Sequence, residues 1–245
     1  YAEQAQAQLE ELDGGAQGKE QLASEIAALE KQVYTEARQI SEQRKAAAEK
    51  MSRAVEQILA KLGMPGTRFS VALSAKASSA PGAPEQLQMC GPYGIDNVEF
   101  LISANPGSPV QSLAKIASGG ELSRVMLALK TIFASSDPVG TLVFDEIDTG
   151  IGGEIAVSIG SHLQNLAKNK QVLCITHLAS IAVYADNQVK IAKGVSGGTT
   201  STHVFPITGE ERVQEIARML SGDPASSESV EHARAMLQKF SARGQ

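Results

Sequence analysis

The stretch ASGGELSRVMLALK, Ala117–Lys130, puts two glycines at a point where a helix begins. Ser118 followed three residues later by Glu121 has the form of a capping box, and Leu122, Val125, Met126, Leu129 and Phe133 recur at helical spacing. A cap and an apolar stripe account for Ser118 and Glu121. They do not account for Gly119 and Gly120, each of which weakens a first turn by up to about 1 kcal/mol. A helix N-terminus presents unpaired N–H groups and the positive end of a dipole, so glycines there let an anion such as a phosphate approach closely. A plain cap and packing site is the competing explanation, and the decision falls to the rest of the chain.

Downstream, TLVFDEIDTG (Thr141–Gly150) places Asp145 and Glu146 at the carboxyl end of an apolar strand. Ligands of α/β sheets bind at that edge. Paired acids there suit a metal nucleotide: Asp145 can hold Mg²⁺ through water, while Glu146 points the other way and can orient or deprotonate an attacking water. The plainer alternative is a strand end that reaches solvent. VLCITHLASI (Val172–Ile181) carries His177 at the end of a second apolar strand, with no HxxxH pattern or cysteine partner to make it a metal ligand. If the two strands are neighbours, His177 stands beside Glu146, where its imidazole can bond a γ-phosphate or the attacking water.

Around this centre the chain alternates apolar strands with helices, which predicts an α/β fold with a mostly parallel sheet covered on both faces. Strands are expected at RFSVAL (68–73) and VEFLIS (98–103), joined by a Ser/Ala/Pro/Gly-rich connection from Ser74 to Pro84. Helices are expected at about Gly153–Lys168, Val213–Leu220 and Ser229–Phe240, and an antiparallel hairpin from NQVKIAK (187–193) and STHVFPI (201–207).

The first 62 residues have a different grammar. From Gln21 to Leu62 the composition is that of a long helix, about 60 Å at helical rise. Leu22, Ile26, Leu29, Val33 and Ile40 follow steps of four and three, Ala47 continues the heptad, and Met51, Val55, Ile58 and Leu62 resume it after a stutter. So narrow a stripe predicts one strand of a coiled coil over residues 1–62, with a Gly-rich break near 13–18. KLGMPGTRF (61–69) then marks a boundary, and residues 63–245 form the second domain. Gly18–Lys19 superficially suggests a phosphate-binding loop. The match fails, because Asp13 stands where its first glycine belongs, Glu20 occupies the hydroxyl position and no strand precedes it.

Composition bounds the rest. With 42% hydrophobic residues, 4% aromatic and no Trp, the core is aliphatic. No apolar run approaches the roughly 20 residues of a membrane span, and the N-terminus lacks the regions of a signal peptide. Cys90 and Cys174 suggest neither a disulfide framework nor a metal site, which points to a reducing cytoplasm. A net charge of −5 advertises no nucleic acid, so DNA binding would need a local patch or another part of an assembly.

SGGEL, TLVFDE and ITH, in that order, resemble the signature motif, the Walker B strand and the switch histidine of ABC-type ATPases. ABC transporters usually read SGGQ. ASGGELSR with DEIDTGIGG is similar instead to the bacterial DNA-repair branch of the SMC- and Rad50-like family, and the likeness runs from about Met64 to the end. The resemblance implies the C-terminal lobe of an ATPase head preceded by a returning coiled-coil helix, with ATP and Mg²⁺ as cofactors. It implies that Asp145 serves Mg²⁺, Glu146 and His177 act in catalysis, and Ser118, Gly119, Gly120, Glu121 and Asp148 contact nucleotide, the signature glycines doing so in trans across an ATP-sandwiched homodimer of heads. An N-terminal lobe carrying the phosphate loop, a second head and DNA are the implied partners, with no membrane, in the bacterial cytoplasm at the nucleoid. The absence of a phosphate loop makes the chain look like a C-terminal fragment, inactive alone. Gly152 departs from the pattern, standing where the family's D-loop commonly has an acidic residue. Two other classes compete: a non-catalytic coiled-coil assembly module, and an ABC transporter subunit, which the coiled-coil arm and Glu121 disfavour. Within the family, another SMC- or Rad50-like chromosome ATPase is the alternative.

Overall fold

A single helix, α1 (Ala2–Lys61), opens the computed structural model, which describes residues 2–75, 90–105, 107–116, 118–196, 199–223 and 226–241. Most of the connection expected from Ser74 to Pro84 lies outside the described residues. The helix continues through Gly14, Gly15 and Gly18, which corrects the break expected near 13–18. Glycine costs helix propensity but, unlike proline, keeps its N–H and clashes with nothing, so the flanking Ala, Gln, Glu and Leu carry the helix across. The heptad positions Leu22, Ile26, Leu29, Val33 and Ile40 are all exposed, whereas Val55, Leu59 and Leu62 are fully buried. Gly63 ends the helix with φ 81°, and a Cβ there would also collide with the Ile155 side chain.

The chain divides into two compact units, Tyr1–Ser52 with Ser70–Phe100, and Arg53–Phe69 with Leu101–Gln245. The division falls within α1 rather than at Leu62, in keeping with the burial that begins at Val55. Strands β1 (Arg68–Ala75) and β2 (Asp96–Ser103) run across it and belong, with β3 (Gln111–Ser112), to one three-stranded sheet of that order.

In the first unit the buried Asp96 carboxylate ties the start of β2 to α1. It accepts from Ser41 Oγ at 2.7 Å and from Arg44 at 3.0 Å, and Arg44 also donates to Tyr93 O at 2.8 Å. Burial alone would raise this carboxyl, but the two hydrogen bonds and the Arg44 charge outweigh it and hold the group below the usual carboxylate range.

The second unit holds the conserved-looking α/β centre of the sequence in three-dimensional form: α2 (Gly119–Ile132), β4 (Thr141–Phe144), α3 (Gly153–Ala167) and β5 (Gln171–Cys174). β4 and β5 are parallel and in register from Thr141↔Gln171 to Phe144↔Cys174, with α3 as the crossover. α3 buries Ala156, Ile159, Gly160, Leu163 and Leu166, the helical stripe its sequence spells out. After β5 come α4 (Ala179–Ala182), the antiparallel hairpin β6 (Gln188–Ser196) and β7 (Thr199–Ile207), α5 (Gly209–Ser221) and α6 (Ser227–Ser241). Ala179, Val183, Tyr184, Ile216, Ala217, Ala233 and Phe240 form their shared core. Tyr184 lies against Gly160 so closely that a Cβ there would strike its ring.

The α/β class holds, with the parallel pair β4–β5 beside the antiparallel pairs β2–β3 and β6–β7. The parallel pair is covered on one face. Leu142 and Phe144 are buried, while Val143 at 63%, Leu173 at 51% and Ile175 at 52% are exposed.

Asp96→Asn should destabilise the fold by about 2 kcal/mol at neutral pH, the scale of charge-assisted hydrogen bonds. The folded-state carboxyl titrates below its unfolded value of about 3.9, so its stabilisation is full above that pH and is lost as pH falls through the lower folded value. Thermal unfolding followed between about pH 5 and pH 2 should therefore drop more steeply for the wild type than for the variant. Parallel curves would exclude the contribution.

Candidate active site

The two strand ends meet at one edge. Ile175 N–H donates to Phe144 O at 2.9 Å, extending the β4–β5 pairing, so Asp145–Glu146 and Thr176–His177 leave the sheet side by side. This meets the condition on which a joint role for Glu146 and His177 depends.

Asp145 is exposed, and its Oδ1 accepts the Glu146 N–H at 2.9 Å. Glu146 has φ 56°, the one positive φ outside glycine among the described residues. A left-handed backbone at such a residue costs about 1–3 kcal/mol and persists only where the surroundings over-determine it. The surroundings do so here. Thr149 N–H donates to Glu146 O at 3.0 Å, Ser123 Oγ donates to Asp145 O at 2.7 Å, and the Arg124 guanidinium donates to Ile147 O and Thr149 O at 3.3 and 3.2 Å.

Asp148 is buried. Its Oδ2 accepts from Thr176 Oγ1 at 2.6 Å and from His177 N–H at 2.9 Å, and lies 3.0 Å from His177 Nδ1. The carboxylate thus places the ring proton on Nδ1 and turns Nε2 outward on a side chain that is 74% exposed, an acceptor when neutral and a donor when protonated. Asp148, expected among the nucleotide contacts, lies beneath His177 with its carboxylate hydrogen-bonded to the loop after β5. Asp148 and Asp145 also act on Cys174: burial first, then these two charges, push its thiol up to about 12.

The opening glycines do different things. Ser118 caps α2, its Oγ accepting from Glu121 N–H at 3.4 Å. Gly119 is exposed, and a Cβ on it would collide with Glu146 Oε2. Gly120 is buried, and a Cβ on it would lie 3.0 Å from Glu146 O and 3.1 Å from Thr149 Cβ. Gly120 is therefore needed within the chain itself, for the 146–149 backbone to reach the helix. Gly119 instead leaves room for the Glu146 carboxylate at the helix N-terminus.

Among the described residues no three His, Cys, Asp or Glu side chains form a cation cage. Asp145, a single exposed carboxylate, fits Mg²⁺, which keeps its waters and takes phosphate oxygens beside one or two carboxylates. Sequence patterns missed Ser123, Arg124 and Thr176. Arg124 lies four residues after Gly120, on the same helix face, which was the available signal. Thr176 Oγ1 also accepts the Leu178 N–H at 3.1 Å, a local hydroxyl turn that an isolated threonine does not announce.

No family model matches the chain. Among curated proteins, the DNA repair protein RecN of Treponema pallidum (strain Nichols) is 50% identical over 237 residues, covering 97% of this chain and 40% of that protein. RecN of Bacillus subtilis (strain 168) is 38% identical over 246 residues, covering 98% of this chain and 42% of that protein. The chain is RecN-like. It spans about two fifths of the length of the curated RecN proteins it matches. Among solved structures, the Smc head domain with a coiled coil and joint from Pyrococcus yayanosii is similar at TM-score 0.46 and 19% identity, covering 74% of this chain and 30% of that one. The RecN assignment rests on the sequences.

In this RecN-like chain the two glycines should respond differently to alanine. Gly120→Ala presses on a backbone carbonyl and should cost about 1–3 kcal/mol, as overpacking does. Gly119→Ala meets the far end of a flexible side chain and should leave stability within about 0.5 kcal/mol. Chemical denaturation of the two variants measures both, and equal losses would show that the glycines share one role.

Proposed function

We propose that this chain is the C-terminal part of a RecN-like ATPase that acts in DNA double-strand-break repair at the bacterial nucleoid, where ATP-gated engagement of two heads is coupled to DNA binding or tethering. The observation that carries the proposal is the convergence of Asp145, Glu146 and His177 at one strand edge, with the N-terminus of α2 packed on the same loop. The curated relatives are themselves DNA repair proteins by name.

The reaction is attack of water on the γ-phosphate of ATP, giving ADP and phosphate. Asp145 would hold Mg²⁺, which when bound would offset charge on the phosphates. Glu146 orients the water and takes its proton, and His177 presents Nε2 to the γ-phosphate. Ser118, Gly119 and Glu121 at the α2 N-terminus face the nucleotide of the partner head, with Gly120 shaping that terminus from behind. The phosphate loop comes from the N-terminal lobe. An uncovered face supports such a lobe: parallel pairs are normally covered on both sides, and Val143, Leu173 and Ile175 stand exposed on β4–β5.

The isolated chain should hydrolyse ATP negligibly and gain activity when mixed with a fragment that carries a phosphate loop, because amides and lysine cradling the β- and γ-phosphates are then supplied. In the full-length protein, Glu146→Gln should keep nucleotide binding while lowering kcat at least about 100-fold. Asp145→Asn should weaken Mg²⁺-dependent binding instead. Robust Mg²⁺-dependent turnover by the purified chain, or normal turnover by both variants, would sink the proposal.

A further inference from the structure

A buried cation sits behind the carboxylate loop with part of its hydrogen-bonding capacity unmatched. Arg124 is 6% exposed, its pKa is lowered by burial against the opposing charge of Glu121, and its Nε has no hydrogen-bond partner. Its NH1 reaches Ile147 O and Thr149 O. A buried donor left unmatched costs about 1–3 kcal/mol, and a buried charge is weak evidence of stabilisation, so this side chain is poorly explained as a device for stability alone. Its neighbour Ser123 holds Asp145 O. Together they anchor the carbonyls on both sides of Glu146, those of residues 145, 147 and 149.

We propose that Arg124, assisted by Ser123, is a positioning residue that holds the Glu146 backbone in its left-handed conformation and so aims the Glu146 carboxylate. This rests on the proposed role of Glu146 as the base. The reasoning is geometric. Glu146 at φ 56° lies between peptides fixed from α2, and release of those peptides lets it relax to negative φ, which swings its Cβ and carboxylate away from the Gly119 end of the helix. A planar guanidinium can donate to two carbonyls from one nitrogen. The ammonium of lysine, a compact point charge on a flexible stem, holds that arrangement less rigidly.

The test uses the full-length protein, with Arg124→Lys, Arg124→Met, Glu146→Gln and the double variant Arg124→Met with Glu146→Gln. Arg124→Met should lower kcat by about 100-fold, as a displacement near 1 Å can, with KM for ATP within about twofold, and Arg124→Lys should recover part of the loss. The double variant should turn over no more slowly than Glu146→Gln alone, because Arg124 acts through that carboxylate. Hydrogen exchange without nucleotide should show the Thr149 amide exchanging at least about tenfold faster in Arg124→Met, with the β4 and β5 amides unchanged. Losses that multiply in the double variant, or unchanged exchange at Thr149, would overturn the inference. Normal turnover by Glu146→Gln would instead defeat the base role, and the exchange result alone would then decide whether Arg124 clamps the loop.

Discussion

The Asp148 carboxylate is the interaction on which the rest of the site depends. A charge taken out of solvent must be matched by donors, and the donors that match it, Thr176 Oγ1 and the backbone and ring nitrogens of His177, all come from the loop after β5. Satisfying one buried group therefore locks the end of the second strand to the loop that follows the first. The in-register parallel pairing of β4 and β5 makes this possible, because it brings the two carboxyl ends to the same height. The opposite side of the loop is met by α2, through Gly120, Ser123 and Arg124. The helix N-terminus, the two acids and the histidine are thus tied together through hydrogen bonds to one loop.

Holding the loop from both sides is what permits its strain. Glu146 adopts a left-handed backbone that a free loop would abandon, and its two neighbouring peptides are fixed by side chains from α2. Negative charge is concentrated at this edge, where Asp145, Glu146 and Asp148 stand within four residues, and the Cys174 thiol is raised by its burial first and then by Asp148 and Asp145. A cation that bridges to phosphates relieves that concentration, while the α2 N-terminus offers the positive pole for an anion. The edge therefore sets acids beside a helix N-terminus, the pairing on which the proposed metal-nucleotide role rests.

The features legible in the sequence were those written in periodicity or in short ordered motifs. The helical stripes of α2 and α3, the two apolar strands and the hairpin of β6 and β7 repeat at periods the backbone imposes. Asp145, Glu146 and His177 could be placed because a strand end is visible as the point where an apolar run stops. Asp148 and Gly120 have contacts inside the chain that the motif does not reveal, because a motif names the residues of a site but not what each touches. Arg124 and Thr176 escaped because their partners are carbonyls and a carboxylate far away in sequence, and pairings of that kind leave no local trace. The continuity of α1 through its glycines was misjudged because a breaker was weighed by its local cost and not against the helix formers around it.

The uncovered surfaces bear on the choice between the proposed ATPase lobe and a simple assembly module. The stripe of Leu22, Ile26, Leu29, Val33 and Ile40 repeats at heptad spacing, so another helix is the cover it needs, and either function would account for it. Val143, Leu173 and Ile175 are different. They lie on the face of a parallel strand pair whose other face is already packed, away from the heptad stripe of α1 in sequence. That surface calls for a second layer, and it lies on the strands that end in Asp145 and lead into His177. An assembly module needs a helix partner alone. The proposed composite nucleotide site would use such a layer, because a cover on these strands would bring phosphate-binding groups to the ends that carry Asp145 and lead into His177.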